Sequence, residues 1–208
     1  MINYKKDDWF HGWIYENIME LFLQPHYEAI ARMIPKGARV LDIACGTGGL
    51  GFNIINKAEY YAGIDISEKN IRRAKLRKEG DIGNMEFFRG DALKLGEFVP
   101  GEFDYAVISL ALHEMPPSIR RPVIESAMQK ARFIILADYA SPLPRNIMGR
   151  FMRVVEFFAG RGHYRGFRHF IASGGLRSLI AEEGLETISR ERIFSNNIHI
   201  YLNKKFSE

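Results

Sequence analysis

Val40-Leu41-Asp42-Ile43-Ala44-Cys45-Gly46-Thr47-Gly48-Gly49-Leu50-Gly51 decides the fold. Arg39 to Ile43 is an apolar, β-branched run following the turn signal Pro35-Lys36-Gly37, which predicts a buried strand. The run breaks into glycines and resumes with helical spacing at Phe52, Ile54 and Ile55. Strand, glycine turn and helix make the first half of a βαβ unit. A glycine turn lets a ligand approach the backbone, because glycine carries no Cβ and tolerates positive φ. Free N–H groups of the following helix then face the ligand.

Gly46, Gly48 and Gly51 satisfy the dinucleotide spacing G-x-G-x-x-G, a weak signal by itself. Asp42 separates two ligand classes. A pyrophosphate is repelled by a neighbouring carboxylate, whereas a ligand with a cationic part, such as a sulfonium carrying an α-amino group, is suited to it. With Leu41-Asp42-Ile43-Ala44-Cys45-Gly46-Thr47-Gly48, the chain resembles the class I S-adenosylmethionine-dependent methyltransferases, and its later run His113-Glu114-Met115-Pro116 resembles their quinone C-methyltransferase and small-molecule branch.

Two further strands match that pattern. Tyr60 to Asp65 is an apolar run ending in an acid, which suits hydrogen bonds from ribose hydroxyls. Met85 to Arg89 precedes Gly90-Asp91-Ala92. The resemblance implies that Asp91 faces the adenine amino group while the backbone N–H of Ala92 meets a ring nitrogen. It implies cofactor contacts at Asp42, Ala44, Gly46, Gly48, Asp65, Ile66, Asp91, Ala92 and Ser109, and S-adenosyl-L-methionine as cofactor. The expected fold is α/β: a Rossmann-like, doubly wound, mostly parallel seven-stranded sheet closed by a C-terminal antiparallel hairpin. A nicotinamide oxidoreductase is the rival, but it has no need of Asp91 and normally continues into a separate substrate domain.

Composition agrees with a globular chain. The 208 residues are 47% hydrophobic and 26% charged, enough for one domain with a substantial core. No apolar run is long enough to cross a bilayer, and the first residues lack the apolar core of a signal peptide, so a cytoplasmic location is expected. The single Cys45 forbids an internal disulfide and any multi-cysteine metal site. It also leaves no cysteine nucleophile after the fourth strand, as pyrimidine C5 methylation requires. No metal is expected. A net charge of +4 permits an anionic partner without demanding one.

Residues 1–34 carry many large aromatics and predict two helices, over about 13–23 and 25–34. They read equally as a lid over the cofactor, with Tyr4, Trp9 and Tyr15 foremost, or as plain packing on the sheet. Strand 4, Glu102 to Ser109, leads into Leu110-Ala111-Leu112-His113-Glu114-Met115-Pro116. The Asp/Asn-Pro-Pro-aromatic motif of amino-methylating nucleic-acid enzymes is absent there, and the basic cluster Arg72 to Lys78 reads better as a solvated helix face. His113 is the candidate catalytic residue: a neutral imidazole accepting a proton, or an anchor for the loop. Asp138 and Tyr139, closing strand 5, either meet substrate or cap the strand.

Residues 140–172 are the expected cap and the seat of substrate choice. Ile147 to Ala159 predicts a helix apolar on most sides, with arginines around it and Glu156 as the one acid between them. It reads as a cover for a partly hydrophobic small molecule, whose anionic groups the arginines would suit, or as a helix packed against a homodimer partner. Ser173 is the expected N-cap of the next helix, and Ser195-Asn196-Asn197 the turn of the closing hairpin. A small-molecule methyltransferase of one domain, 1–208, is the expectation. An RNA or protein methyltransferase docking through the arginines, and a non-catalytic cofactor-binding protein, are the alternatives.

Overall fold

The computed structural model describes residues 13–78 and 83–205, with side chains from residue 23 onward. Seven strands form one sheet: β1 (Arg39–Ile43), β2 (Tyr60–Asp65), β3 (Met85–Arg89), β4 (Phe103–Ser109), β5 (Ala131–Tyr139), β6 (Leu185–Ile193) and β7 (Ile198–Lys205). Their order is β3-β2-β1-β4-β5-β7-β6. The first five are parallel, and β7 runs antiparallel between β5 and β6. The chain therefore reverses direction across the sheet between β1 and β4. Doubly wound sheets bind ligands at that switch point, beyond the carboxyl ends of the strands.

Burial explains the composition of the strands. After its first residue β1 is entirely buried, and so is β5 after its second and third. Strands covered on both faces read as continuous apolar runs. The outer strand β6 is exposed along most of its length and carries Glu186, Arg190, Glu191 and Arg192, charges that discourage pairing with another sheet. The connections run through α2 (Gly49–Ile54), α3 (Glu68–Arg77), a short α4 (Leu95–Phe98) and α5 (Pro117–Lys130); α8 (Gly175–Glu182) precedes β6.

Three expectations change. The two N-terminal helices are one, α1 (Trp13–Met33), which continues through Pro25. An internal proline removes one helical hydrogen bond. Docking of the buried His26, Ala29, Ile30 and Ile34 offsets that loss, so the described part of α1 belongs to the core. Tyr4 and Trp9 lie outside the described residues, and Tyr15 lies where no side chain is described.

The 140–172 segment holds two helices, α6 (Ile147–Phe158) and α7 (Arg161–Ala172), broken at Gly160 with φ 114°. Arginines and glycines obscured the second in sequence, yet Phe167 and Phe170 bury at helical spacing. Ser173 ends α7, its hydroxyl donating to Phe170 O, and the left-handed Gly174 is the N-cap of α8. Glycine supplied the positive φ that a serine cap disfavours. The outward face of α6 leaves Ile147, Phe151, Val154 and Phe158 exposed, while Met152 and Glu156 point inward. The β6–β7 turn passes through three left-handed residues, Phe194, Ser195 and Asn196, which the buried Asn197 amide braces by donating to Phe194 O.

Candidate functional site

At the tip of β1 the glycines divide the work. Gly46 (φ 57°) has open space where a side chain would stand. A Cβ on Gly48 would come within 2.5 Å of the Phe87 ring, and one on Gly51 within 2.5 Å of Tyr61. Only Gly46 therefore exposes backbone to a ligand; Gly48 and Gly51 admit aromatic rings from β3 and β2. From α1, Tyr27 presses on Gly49, whose added Cβ would lie 2.5 Å from its hydroxyl.

Asp65 ties the bend to the tip of β2. Its Oδ2 accepts from Gly46 N (2.9 Å) and its Oδ1 from Ser67 N (2.7 Å). One step along, Ile66 is 69% exposed, a large apolar side chain at the mouth of the crevice. Gly90 N donates to Asp65 O, bringing the β3 tip alongside. There Asp91 accepts from Leu93 N (2.9 Å) and caps the 3-10 turn begun by Ala92.

Asp42 lies deeper. It is buried, and the Tyr61 hydroxyl donates to its Oδ2 at 2.6 Å. Burial pushes its carboxyl up to about 7, moderated by the Tyr61 bond and reinforced by the charge of Asp65. A cleft of about 210 Å³ opens between α1, α2 and α3, lined by Tyr27, Gly49, Phe52 and Arg77 among others. It lies behind the glycine bend, and neither Asp65, Asp91 nor His113 lines it.

On the other side of the switch point, Leu110 turns left-handed (φ 49°) and His113 falls back against β5. His113 is buried, with Nδ1 2.7 Å from Asp138 Oδ1, while its backbone N–H donates to Asp138 Oδ2 at 3.1 Å. Its Nε2 lies 3.7 Å from Glu156 Oε1 on α6. Glu156 also accepts from the Tyr139 hydroxyl (2.7 Å) and pairs with His163 Nε2 on α7. Burial pulls the His113 imidazole down, but Asp138, Glu156 and Glu114 outweigh it and raise it to about 9. Burial would raise Glu156, yet the His163 bond and the two imidazoles bring it below the usual carboxylate range. The raised pKa favours the protonated form of His113 at neutral pH and argues against a neutral base, while its ring and backbone bonds to Asp138 agree with the loop-anchor reading. Two of the carboxylates responsible, Asp138 on β5 and Glu156 on α6, are far from it in sequence; the third, Glu114, is its neighbour. Asp138, near the end of β5, holds the His113 loop by ring and backbone, in line with the capping reading.

Sequence reasoning missed His26. It is buried in α1, with Nε2 2.6 Å from Ser109 Oγ and, among the described residues, no hydrogen-bond partner for Nδ1. A lone histidine in an N-terminal segment gave no signal. Burial pulls its pKa down to about 4 against the attraction of Asp138. Between pH 6.5 and 4 the unfolded chain takes up a proton that the folded chain refuses, so this group's contribution to stability falls as pH drops through that window. The drop should amount to about 3 kcal/mol. Urea unfolding of the wild type and His26→Gln across that range checks it: the variant should lose less stability on acidification, and parallel curves would refute the assignment.

An apolar, mostly parallel sheet with an open glycine bend and carboxylates at adjoining strand tips defines a Rossmann-like domain. The chain belongs to a family of methyltransferase domains, whose model matches residues 34–163. It is similar to a demethylmenaquinone methyltransferase of Leptospira interrogans, 28% identical over 115 residues, covering 53% of this chain and 46% of the relative. The chain thus spans about half the length of the curated relatives it matches. Among solved structures it resembles the magnesium protoporphyrin IX methyltransferase of Synechocystis PCC 6803 with bound SAH: TM-score 0.63, 17% identity, 94% of this chain and 89% of that one. It also resembles an O-methyltransferase from neocarzinostatin biosynthesis in complex with S-adenosyl-L-homocysteine and 1,4-dihydroxy-2-naphthoic acid: TM-score 0.66, 18% identity, 92% and 57% covered. At these identities the likeness is one of fold. Among the described residues no helix is long and apolar enough to cross a membrane.

Proposed function

We propose that the chain transfers a methyl group from S-adenosyl-L-methionine to a small, partly hydrophobic molecule bearing an oxygen substituent. The observation that carries this reading is the placement of two chemistries around one switch point. The open Gly46 bend with Asp65, Ile66 and Asp91 lies on one side, and the buried His113 cluster on the other.

The residues fit the cofactor. Asp65 keeps lone pairs beyond its two backbone bonds for ribose hydroxyls, Ile66 offers an apolar face to adenine, and Asp91 with Ala92 N–H would read the ring edge. Asp42, buried against Tyr61, supports the bend and sets the field behind it. Ala44, with φ 58°, and Gly46 bring the chain past the ligand without a large side chain, and Ser109 stands at the β4 tip with His26. S-adenosylmethionine, when bound, supplies a methyl group on a positively charged sulfur, a good electrophile.

The chain's own part is to align and dry the acceptor. Alignment of reacting groups can account for up to about 7–11 kcal/mol of a barrier. Tyr139, Phe167 and Phe170 close apolar surface around the His113 ring. With Nδ1 committed to Asp138, His113 presents Nε2, whose proton can hold an anionic acceptor oxygen; Glu114 and Glu156 beside it can take up an acceptor proton. Helices α6 and α7 form the cap that carries two of these side chains, Glu156 and His163. The relatives' names lend support, since a quinone precursor, a porphyrin and a naphthoic acid are all ring compounds with oxygen substituents. Incubating the chain with methyl-labelled S-adenosylmethionine and fractionated small-molecule, lipid and RNA pools tests the proposal. Label should enter small aromatic or quinol-like compounds. Transfer confined to RNA or protein, or no transfer by a chain that binds the cofactor, would overturn it.

A further inference from the structure

We propose that His113, Glu114 and His163 form a site for one divalent transition cation of the zinc type, with Asp138 and Glu156 orienting the two imidazoles. One ligand atom from each of the three lies within 4.8 Å of the others, and among the described residues this is the single such group. His113 Nε2 stands 4.0 Å from Glu114 Oε1, and His163 Nδ1 stands 3.8 Å from Glu114 Oε2. Around a tetrahedral ion with bonds of about 2.0–2.2 Å, ligand atoms stand about 3.3–3.6 Å apart. The closure needed runs from a few tenths of an ångström to a little over one, the scale of a rotamer change in the Glu114 side chain, which is 40% exposed.

The outer partners argue for a metal more strongly than the distances do. Each imidazole gives its second ring nitrogen to a buried carboxylate: His113 Nδ1 to Asp138 at 2.7 Å, and His163 Nε2 to Glu156. Those carboxylates are held in turn, Asp138 by the N–H of Tyr139 (2.7 Å) and Glu156 by the Tyr139 hydroxyl (2.7 Å). Carboxylate–histidine pairs of this kind set the tautomer and aim of metal-binding imidazoles. A histidine that only anchors a loop needs one such partner, and here two rings are aimed at a common carboxylate. The ligands come from two elements, the loop after β4 and the start of α7, and the orienting carboxylates from two more, β5 and the interior of α6. Contact between α7 and that loop is close, because a Cβ on Gly166 would lie 2.8 Å from His113 O.

Two imidazoles and a carboxylate suit zinc and its neighbours, while magnesium prefers oxygen ligands and water. Binding would displace the Nε2 proton of His113; three protein ligands leave a coordination position open, as in catalytic zinc sites, so the metal would take over from that proton the hold on an acceptor oxygen. That last role rests on the methyl-transfer reading; the site itself does not.

The test uses the untagged, full chain after chelator treatment, with Zn²⁺, Co²⁺ and Mg²⁺ titrated by calorimetry in the absence of S-adenosylmethionine. One equivalent of Zn²⁺ should bind at micromolar or tighter dissociation constant, Co²⁺ should develop the intense visible absorption of four-coordinate cobalt, and Mg²⁺ should not bind. Glu114→Gln and His163→Ala should each weaken zinc binding at least tenfold, and Glu156→Gln roughly 10–100-fold. Glu114 is half-exposed, so its variant keeps the fold and the comparison remains readable. Absence of zinc binding, or uptake unchanged in both Glu114→Gln and His163→Ala, would overturn the site and leave a proton-holding cluster only. Zinc binding without methyl transfer to any pool would keep the site and refute the preceding function.

Discussion

Replacing Arg120 with methionine should lower the unfolding free energy by about 3–5 kcal/mol, the largest stability effect of a single substitution outside the aliphatic core. Arg120 is 2% exposed on α5, yet its guanidinium satisfies backbone carbonyls from two other segments. Nε donates to Leu112 O (2.8 Å) and Met115 O (3.1 Å), and Nη2 to Gly166 O (2.9 Å) and His113 O (3.5 Å). Nη1 lies 3.2 Å from His169 Nδ1, and the Phe170 ring covers the plane of the group at 5.3 Å. Methionine fills comparable volume and donates nothing, so carbonyls of the His113 loop and α7 lose the donor that ties the two segments to α5. Lysine places one ammonium where a planar fork spanned two segments, and should recover part of the loss. At roughly 2–4 °C per kcal/mol for a domain of this size, the methionine variant should melt about 10 °C below the wild type. A variant within about 1 kcal/mol of wild type by urea unfolding would show that the fork contributes no net stability.

The second large effect concerns ligand binding. Asp65→Ala should weaken S-adenosylmethionine binding by roughly tenfold to hundredfold, since hydrogen bonds to a charged group contribute about 1.5–3 kcal/mol. The same carboxylate bridges Gly46 N and Ser67 N, so its removal also loosens the glycine bend. Two readouts separate these roles. Melting without cofactor reports the lost bridge, and calorimetry with cofactor reports the lost acceptor. A chain that melts lower but binds with wild-type affinity would leave Asp65 as a loop staple and remove it from the ligand site.

Much of the architecture was written locally. Runs ending in Asp42, Asp65 and Gly90-Asp91 located three parallel strands: β1 and β2, buried on both faces, are nearly continuously apolar, while the edge strand β3 alternates buried with exposed residues. The closing hairpin and its turn were equally legible, since turn residues act over a few positions. The second helix of the cap was not. Its buried stripe is Phe167 and Phe170 amid arginines and glycines, and periodicity over so few apolar residues is weak. Pro25 misled in the other direction, because the packing that carries α1 through it involves residues elsewhere in the chain.

The sequence by itself determined the order of the strands' chemistry: a glycine bend, then an acid after β2, then another after β3. Only the tertiary structure decided what these residues touch. It gave Gly48 to Phe87 and Gly51 to Tyr61, turned Asp42 inward, and brought His26 to Ser109 across 83 positions of sequence. It also joined His113 to Asp138, 25 residues away, and to Glu156 and His163 on the cap helices. The physical reason is that periodicity states which face of an element is apolar, whereas a polar contact depends on the register between strands and the depth to which helices dock. Those are set by the packing of the whole core.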